Sequence, residues 1–530
     1  MKWIFILSLL PMAFYLILKT KKAFHMLQQN WYNDDNRYLM WIIRNEYKVF
    51  LAVDMFFVLF EVTVVIDAKI STVIFSALYL MFSYFYMNKT KNEQVKKPLV
   101  VTARVKRISV TYTILYLIPI ISIMYTFDEN NLGYYYLLIG LCVYLSYFFA
   151  MVANFLNKPV EKQVFYHYRR QAKRKLKAMS NMQVIGVTGS YGKTSSKNIL
   201  SDILNIKYNA CPTPKNFNTP YGLINTVNNY LDKFTDLFIA EMGAFKKGEI
   251  KELCDLVKPK YGILTKIGTA HLESFGSQEN IQKGKFELIE SLPADGVGIL
   301  NADDELQKSY NLKNNCQIIW IGIDNEDVDV RATNIKLSHE GTKFDCIFKG
   351  DKTKYHFETK LLGKANVYNI LAGIALGNHL GISKDDLIVG VKKVKSIEHR
   401  LELKKMGDIN IIDDAYNSNP VGSKMAVEVL GMMPGKKIIV TPGMIELGDQ
   451  QYELNMKFGT YIAEVCDEVI LVGEEQTKPI YDGLIMKKFN PKKIHVINDV
   501  KIAFQLMQEL KEKETYVLLE NDLPDIFNEK

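Results

Sequence analysis

Five apolar blocks in the first third of the sequence constrain its fold more than any other feature. They lie at about 3–18, 49–66, 70–87, 108–126 and 133–154. The last four have about 18–22 residues each, close to the ~20 residues with which a helix crosses the ~30 Å hydrocarbon core of a bilayer. The run 114–121 lacks the polar face, at helical spacing, that a surface helix of a soluble domain would show. We therefore predict an α-helical membrane domain over residues 1–180, with about five transmembrane helices and a basic linker at its end.

Charge divides the chain into two parts of different character. The formal net charge is +8, but residues 1–180 hold 23 Lys and Arg against 10 Asp and Glu, and the remaining residues hold 43 against 48. The positive charge thus lies between and after apolar blocks, where it favours contact with anionic lipid headgroups. Nucleic-acid binding, which a positive net charge can indicate, is not predicted. The six cysteines show no metal-site spacing, and we interpret them as reduced thiols of a cytosolic compartment.

The basic residues of the loops predict the orientation of the membrane domain. Segments 88–107 and 155–180 hold seven and eight Lys and Arg, whereas 127–132 holds none. Cytoplasmic loops are enriched in Lys and Arg. We therefore place the N-terminus outside and everything after residue 155 in the cytoplasm, as in a multi-pass plasma-membrane protein. The first block could instead be a signal peptide, but it lacks a small-residue cleavage site, and we interpret it as an uncleaved anchor.

Asp54 and Glu61 are acidic residues within the second apolar block. Their spacing of seven residues places them on one face of a helix. Acids at membrane depth either mark a functional path or pair with polar groups inside the helix bundle. We favour the second interpretation, because Asp54 lies near the predicted cytoplasmic end of its helix.

A phosphate-binding loop opens the soluble part of the chain. An apolar strand is predicted at 184–187 and a helix at about 194–205. The candidate phosphate-binding residues between and at the ends of these elements are Thr188, Gly189, Ser190, Tyr191, Gly192, Lys193, Thr194 and Ser195. In this context the loop amides and the helix N-terminus face an anion, Lys193 supplies a positive charge, and the Thr194 hydroxyl can ligate Mg²⁺. The common loop has four residues between its glycines, whereas Gly189 and Gly192 enclose two.

This shortened loop resembles the ATP site of the Mur ligase family, and further segments match the family in order. Asn218 lies in a segment, 216–222, that resembles the one beside the nucleotide. Glu241 matches the family's magnesium-binding glutamate, and His271 lies in a segment similar to the one that holds a second Mg²⁺. Lys285 is at the position of the lysine that becomes carbamylated in the family.

The later segments resemble the MurF branch of this family, which joins D-alanyl-D-alanine to the UDP-muramoyl tripeptide. Residues 413–420 read Asp-Asp-Ala-Tyr-Asn-Ser-Asn-Pro, nearly the signature of that branch. The resemblance implies that Asn369 contacts adenine, that Arg400 binds the nucleotide from the start of the last domain, and that Asp414 binds ribose hydroxyls. Tyr416 and Asn417 would lie near the nucleotide, across the gap between the domains.

The resemblance also implies a fold and an activity. We expect an α/β central domain over 181–398, with a doubly wound parallel sheet that carries the phosphate-binding loop, and a smaller Rossmann-like domain over 399–530. ATP would convert a carboxylate to an acyl phosphate, which an amino acid or dipeptide then attacks, in the synthesis or modification of a peptidoglycan precursor that is UDP-linked or lipid-linked. The implied catalytic residues are Lys193, Asn218, His271 and Lys285. Two Mg²⁺ ions would be bound by Thr194, Glu241, His271 and Lys285.

Three departures from the family pattern leave the substrates open. The membrane block occupies the place of a soluble domain that holds the UDP-sugar, Ala365 stands where the family has a histidine, and residues 520–525 are acidic where the family has a Lys-Gly-Ser segment. The alternatives are a membrane-attached synthase that adds amino acids to a growing chain, as poly-γ-glutamate synthases do, and a non-catalytic ATP-binding scaffold.

Overall fold

The computed structural model describes residues 2–30, 32, 35–44, 67–90, 98–416, 418–445 and 447–522. The chain divides into two compact units, Met1–Tyr166 and His167–Lys530. The second apolar block, with Asp54 and Glu61, lies outside the described residues, as does the predicted site residue Asn417. The domain boundaries at residues 180 and 398 stay predictions. All six cysteines are free.

The first unit is helical. Its helices are α1 (Lys2–Gln29), α2 (Asp35–Arg44), α3 (Ala68–Thr90), α4 (Ala103–Tyr125), α5 (Leu132–Tyr144) and the start of α6 (Ser146–Ala178). Within the described residues, α1, α3 and α4 are long and apolar enough to cross a membrane. The fifth predicted block is not one straight helix, because α5 and α6 are bent by 67° at the break between them and count at most as one broken span. The first block is longer than predicted, since α1 continues to Gln29 with Pro11 inside it.

The interior of this helical unit contains many aromatic side chains, and its outer surface exposes large apolar ones. Tyr15, Tyr79 and Tyr136 are buried, whereas Leu10 and Ile121 are more than half exposed. The hydroxyl of Tyr136 is bonded to that of Ser8 at 2.8 Å and to that of Thr72 at 3.0 Å, so these buried polar groups satisfy one another. Apolar side chains that face outward from a bundle with a bonded polar interior are typical of a lipid environment.

The second unit contains two sheets, of which the first has nine strands. These are β1 (Gln183–Thr188), β2 (Ala210–Pro212), β3 (Leu237–Glu241), β4 (Tyr261–Leu264), β5 (Val297–Asn301), β6 (Gln317–Gly322), β7 (Val330–Ser338), β8 (Gly341–Phe348) and β9 (Tyr355–Thr359). Their order is β2-β3-β1-β4-β5-β6-β7-β8-β9. The strands from β2 to β7 pair in parallel, which confirms the predicted parallel sheet in part.

Two antiparallel pairings, β7 with β8 and β8 with β9, extend this sheet beyond the parallel fold that we predicted. The side chains of β7 alternate between buried or partly buried and exposed positions, as suits a strand with one solvated face. A sheet of this kind is mixed, with the parallel strands buried on both faces and the antiparallel strands at one edge.

Helices cover the parallel part of the sheet. They are α7 (Lys193–Leu204), α8 (Pro220–Asn229), α9 (Glu249–Val257), α10 (Leu272–Phe275), α11 (Gln278–Glu290), α12 (Glu305–Lys308), α13 (Lys364–His379) and α14 (Lys384–Lys392). Since β1 lies between β3 and β4, the carboxyl ends of these three strands meet at one edge of the sheet. This edge, where open α/β sheets bind their ligands, receives the phosphate-binding loop.

The second sheet has six strands. They are β10 (Glu402–Met406), β11 (Ile409–Asp414), β12 (Lys436–Thr441), β13 (Glu468–Val472), β14 (Ile494–Ile497) and β15 (Thr515–Glu520), in the order β10-β11-β15-β12-β13-β14. Short apolar runs in the sequence predict four of these strands, at 409–413, 437–441, 468–472 and 516–519, and each observed strand lies within one residue of those bounds. The helices are α15 (Pro420–Gly431), α16 (Gln451–Val465), α17 (Glu474–Met486) and α18 (Val500–Glu509). Because β15 is inserted between β11 and β12, the last strand of the chain reaches the centre of this sheet.

Candidate nucleotide and metal site

The phosphate-binding loop joins the end of β1 to the start of α7, as predicted. Gly192 has φ +80°, the left-handed conformation that glycine adopts without strain, and it directly precedes the helix. The loop amides and the first turn of α7 therefore form a concave, positively polarised surface suited to phosphate. Thr188, at the end of β1, is buried and donates to the carbonyl of Met242 at 2.8 Å. Ser195 lies partly exposed in the first turn of α7.

The segment after β4, residues 265–269, fixes the conformation of this loop. Thr265 Oγ1 donates to the carbonyl of Tyr191 at 2.6 Å, and Ser190 Oγ donates to the carbonyl of Gly268 at 3.1 Å. A Cβ at Gly268 would lie 2.2 Å from the Tyr191 ring, so only glycine fits there. Sequence reasoning did not find this supporting segment, since its role follows from the neighbouring positions of β1 and β4.

Lys193 bends back over the loop. Its Nζ donates to the carbonyl of Gly189 at 2.8 Å and to that of Ser190 at 3.3 Å. Burial lowers the pKa of Lys193, and the positive charge of Arg400 lowers it further, whereas Glu241 opposes both effects. The ammonium group thus lies where the loop would bind a phosphate, and phosphate oxygens could replace the two carbonyl oxygens as its acceptors.

Glu241, at the end of β3, is contacted by three polar groups, two from α7 and one from the segment before α8. Its Oε1 accepts from Thr194 Oγ1 at 3.1 Å and from Asn218 Nδ2 at 3.0 Å. Its Oε2 lies 3.0 Å from Lys197 Nζ, and both of these side chains are 1% exposed. The structure therefore brings together Thr194, Asn218 and Glu241 as predicted, and adds Lys197, which sequence reasoning missed. Its position one helical turn after Lys193 was the available signal.

His271 and Lys285 lie on the other side of the site. His271 has φ +62°, and its ring packs against that of Phe245 with centroids 4.5 Å apart. Burial, together with the charges of Lys193 and Lys285, lowers the pKa of His271 to about 4. The imidazole is therefore neutral at physiological pH and free to act as a metal ligand or hydrogen-bond partner.

Lys285 is buried because it falls on the apolar face of α11, between Ile281 and Leu288. Its side chain is 1% exposed, and Nζ lies 3.4 Å from the carbonyl of Ala244. Burial and the nearby charge of Lys193 lower the pKa of Lys285 to about 7. A substantial fraction of this amine is accordingly neutral and nucleophilic at physiological pH. Lys283, two residues earlier, is exposed and paired with Glu279.

The residues present fit a magnesium site that is completed by a nucleotide. In the described part of the chain, no three His, Cys, Asp or Glu side chains cluster as a ready-made metal cage. Mg²⁺ commonly uses one or two carboxylates together with substrate phosphates and water. Glu241 and Thr194 offer oxygen ligands for one such ion beside the loop, and a carbamylated Lys285 would offer oxygen ligands for another.

The second sheet contributes residues to the same site. The guanidinium of Arg400 lies 4.3 Å from the centroid of the Tyr416 ring, and Tyr416 is hydrogen-bonded to Asn216, two residues before Asn218. Asn369, on α13, lies close to Gly192, since a Cβ there would be 3.5 Å from Asn369 Oδ1. The structure thus assembles the predicted nucleotide residues Asn369, Arg400 and Tyr416 around the loop.

Asp414 has a partner that the sequence did not reveal. It ends β11 directly opposite Glu520, the last residue of β15, and the two buried carboxyl groups are hydrogen-bonded. Burial raises the pKa of Asp414 to about 6, although Arg400 and a hydrogen bond from the Leu401 amide oppose the effect. Burial and the charge of Asp414 raise the pKa of Glu520 well above its ordinary value. Each of the two carboxyl groups therefore keeps its proton to a higher pH than it would in water.

The acidic turn after β15 is an ordered structural element as far as residue 522. Ser418 Oγ donates to Glu520 Oε1 at 2.6 Å, and Asn521 Nδ2 donates to the carbonyl of Gly443 at 2.6 Å. Asn521 has φ +71°, in the left-handed region. At the other departure, Lys364 beside Ala365 pairs with Asp324 at 3.1 Å.

The part of the chain that holds the two sheets is similar in sequence to known proteins. The family model described as "Mur ligase middle domain" matches residues 187–377, and "Mur ligase, glutamate ligase domain" matches residues 399–520. The UDP-N-acetylmuramoyl-tripeptide–D-alanyl-D-alanine ligase of Bacillus subtilis is 36% identical over 297 residues, which cover 55% of this chain and 63% of that protein. The corresponding Escherichia coli ligase is 30% identical over 55% of this chain and 65% of that protein. The chain thus spans a little under two thirds of the length of these relatives.

Solved structures give the same match. The MurF ligase of Thermotoga maritima in complex with ADP is similar with a TM-score of 0.59 and 27% identity, over 67% of this chain and 80% of that one. MurF from Acinetobacter baumannii is similar with a TM-score of 0.60 and 25% identity, over 68% of this chain and 77% of that one.

The carboxyl pair predicts a pH dependence of stability. An acid whose folded pKa is raised makes the native state bind more protons than the unfolded state, so stability falls as pH rises towards the folded pKa. Asp414 contributes to this fall between its ordinary pKa and about 6, and Glu520 contributes from its ordinary pKa to a higher pH, because its pKa is raised well above that value. We expect Glu520→Gln to flatten the decline of the melting midpoint as the pH rises above about 6.

The control for this experiment is Asp408→Asn, which changes a largely exposed carboxylate of the same sheet. Its melting curve should keep the wild-type pH dependence. Equal slopes for wild type and Glu520→Gln above neutral pH would show that Glu520 is not protonated in the folded protein.

Proposed function

Since this chain belongs to the Mur ligase family, we propose that it is an ATP-dependent amide ligase anchored in the cytoplasmic membrane. It would convert a carboxylate to an acyl phosphate and join it to the amino group of an amino acid or dipeptide, in peptidoglycan precursor synthesis. The observation that carries the proposal is the convergence of Lys193, Glu241, His271 and Lys285 on one phosphate-binding loop.

The first step needs fixed positive charge. A carboxylate oxygen attacks the γ-phosphorus of ATP, the bond from phosphorus to the β–γ bridging oxygen breaks, and ADP leaves. All the reacting groups are anionic, so their approach requires groups that stabilise negative charge without reorganisation. Lys193 and the loop amides supply this on the protein side, and Arg400 adds a cation from the second sheet.

The second step forms the amide. The uncharged amine attacks the acyl carbon, the tetrahedral intermediate expels phosphate, and the nitrogen loses a proton to solvent or to a neighbouring base. Water must be kept from the acyl phosphate during this step. The hydrogen bond between Tyr416 and Asn216 joins the part of the chain with the second sheet to the segment that supplies Asn218.

Magnesium, when bound with the nucleotide, would neutralise phosphate charge and polarise the transferred group. Glu241 and the Thr194 hydroxyl would hold one ion, and His271 and carbamylated Lys285 would hold the second. The carbamate forms when neutral Lys285 attacks carbon dioxide, with loss of one proton and no other reactant. It would replace a buried cation by an anion that supplies hard oxygen ligands.

The substrate class follows from the relatives and from the membrane unit. The relatives named above are ligases of a UDP-linked tripeptide and D-alanyl-D-alanine, and residues 413–420 of this chain resemble the signature of that branch. The two family models match from residue 187 onwards, and the helices α1, α3 and α4 precede that residue. We therefore infer an acyl substrate that carries the muropeptide carboxylate in UDP-linked or lipid-linked form.

The activity is tested with full-length protein in detergent. Wild type, given ATP, Mg²⁺, UDP-muramoyl tripeptide or its lipid-linked form, and D-alanyl-D-alanine, should release ADP and one product. Lys193→Ala should lower ADP release at least about a hundredfold, because it removes a charge-stabilising donor, whereas Lys207→Ala, three residues beyond the far end of α7, should not. Mass analysis of the product distinguishes one addition from a growing polymer. Nucleotide binding without turnover of any acid–amine pair would contradict the ligase and favour a scaffold.

Carbamylation of Lys285 is tested with isotope-labelled bicarbonate. Wild type should give a carbamate resonance in carbon NMR that Lys285→Ala lacks and that the exposed neighbour variant Lys283→Ala keeps. Loss of the signal in both variants, or its absence in wild type, would remove Lys285 from the proposed metal ligands.

The membrane orientation is tested by labelling cysteines in intact cells, with Cys142 replaced by alanine. Asn130→Cys, in the loop between α4 and α5, should react with a membrane-impermeant maleimide before lysis, because positive-inside counting places this loop outside. Lys251→Cys, in the ligase part, should react only after lysis. Labelling of both before or both after lysis would contradict the proposed orientation.

A further inference from the structure

We propose that Lys197 is a positioning residue that balances the charge of Glu241 when no divalent cation is bound, and so sets how tightly the site takes up Mg²⁺. The inference rests on the proposed nucleotide site and concerns a residue outside the loop motif. It begins from the buried contact between Lys197 Nζ and Glu241 Oε2 at 3.0 Å.

The burial of this pair matters because a buried carboxylate depends on nearby groups to stabilise its charge. Both side chains are 1% exposed, and an ionised carboxylate that has lost its water needs a counter-charge or a metal ion. The other oxygen of Glu241 already accepts from Thr194 and Asn218, which are neutral donors. Lys197 is therefore the cation that balances this carboxylate among its described contacts.

The helix determines which way Lys197 points. Lys193 and Lys197 are four residues apart on α7 and lie on one face. Lys193 turns towards the loop carbonyls, whereas Lys197 lies deeper, beside the end of β3. The two lysines thus serve different groups, one the loop that receives phosphate and the other the carboxylate that would receive the metal.

Lys197 also connects Glu241 to the segment that supplies Asn218. Its Nζ donates to the carbonyl of Lys215, a non-glycine residue with φ +47°. Asn218, three residues later, donates to Glu241 and accepts from the Gly243 amide at 2.8 Å. A change at Lys197 therefore acts on the position of the carboxylate and on one of its other donors together.

Competition between cations follows from this geometry. The ammonium group and a divalent ion both stabilise the same carboxylate, so each weakens the contact of the other with it. Removal of the ammonium charge should tighten the uptake of Mg²⁺, and a guanidinium that grips the carboxylate with two N–H groups should weaken it.

The experiment measures Mg²⁺ dependence by two methods that do not use turnover. With full-length protein in detergent, Mg²⁺ is titrated against ADP binding by calorimetry, and against the melting midpoint without nucleotide. We expect Lys197→Met to lower the half-saturating Mg²⁺ concentration about tenfold. It should also lower the melting midpoint in the absence of Mg²⁺, and added Mg²⁺ should restore that loss. Lys251→Met, at an exposed ion pair with Asp255, is the matched control and should behave as wild type.

Lys197→Arg should have the opposite effect on Mg²⁺ uptake, and it tests the inference if Lys197→Met does not fold. It should raise the half-saturating Mg²⁺ concentration several-fold. A loss of stability that Mg²⁺ does not restore, with unchanged Mg²⁺ dependence in the variants that fold, would assign Lys197 a structural role and overturn the inference. Wild type that binds no ADP at any Mg²⁺ concentration would instead contradict the proposed function itself.

Discussion

The buried carboxylate of Glu241 is the group on which the arrangement of the site depends. It ends β3 beside the phosphate-binding loop, and three donors from α7 and from the segment before α8 converge on it. A charged carboxylate at this depth is stable only because each donor is held in place by an element that the sheet positions. This carboxylate and the loop are therefore parts of one packed structure rather than separate motifs.

In the second sheet, a carboxyl group at a strand end lies beside another acidic residue and not beside a lysine. Asp414 also ends a strand at a carboxyl edge, but its neighbour is Glu520, and burial raises the pKa of both carboxyl groups. Directly after Glu520 the chain turns at Asn521, which has φ +71°, a left-handed conformation that asparagine adopts more readily than most residues other than glycine.

The two units of the chain follow different physical rules. In the second unit, polar groups gather at strand ends and apolar residues fill the interior. In the first, buried tyrosines and hydroxyls bond to one another while aliphatic side chains such as Leu10 and Ile121 face outward. The contrast parallels the charge split of the sequence, in which the basic residues lie with the apolar blocks and the ligase part is slightly acidic.

Sequence alone predicted the features that depend on local pattern. The glycines and lysine of the loop define a strand–loop–helix unit because phosphate binding needs close approach of the backbone, and strands such as Glu468–Val472 follow from short apolar runs. The apolar blocks predicted membrane-length helices, because the length of an apolar run is also a local feature of the sequence. Tertiary structure decided the rest. The bend between α5 and α6, the antiparallel edge of the first sheet, the support of the loop by Thr265, and the pairs Lys197–Glu241 and Asp414–Glu520 all join residues far apart in the chain. Spacing along a sequence carries no information about which strand ends become neighbours, and the charge state of a buried group is set by those neighbours.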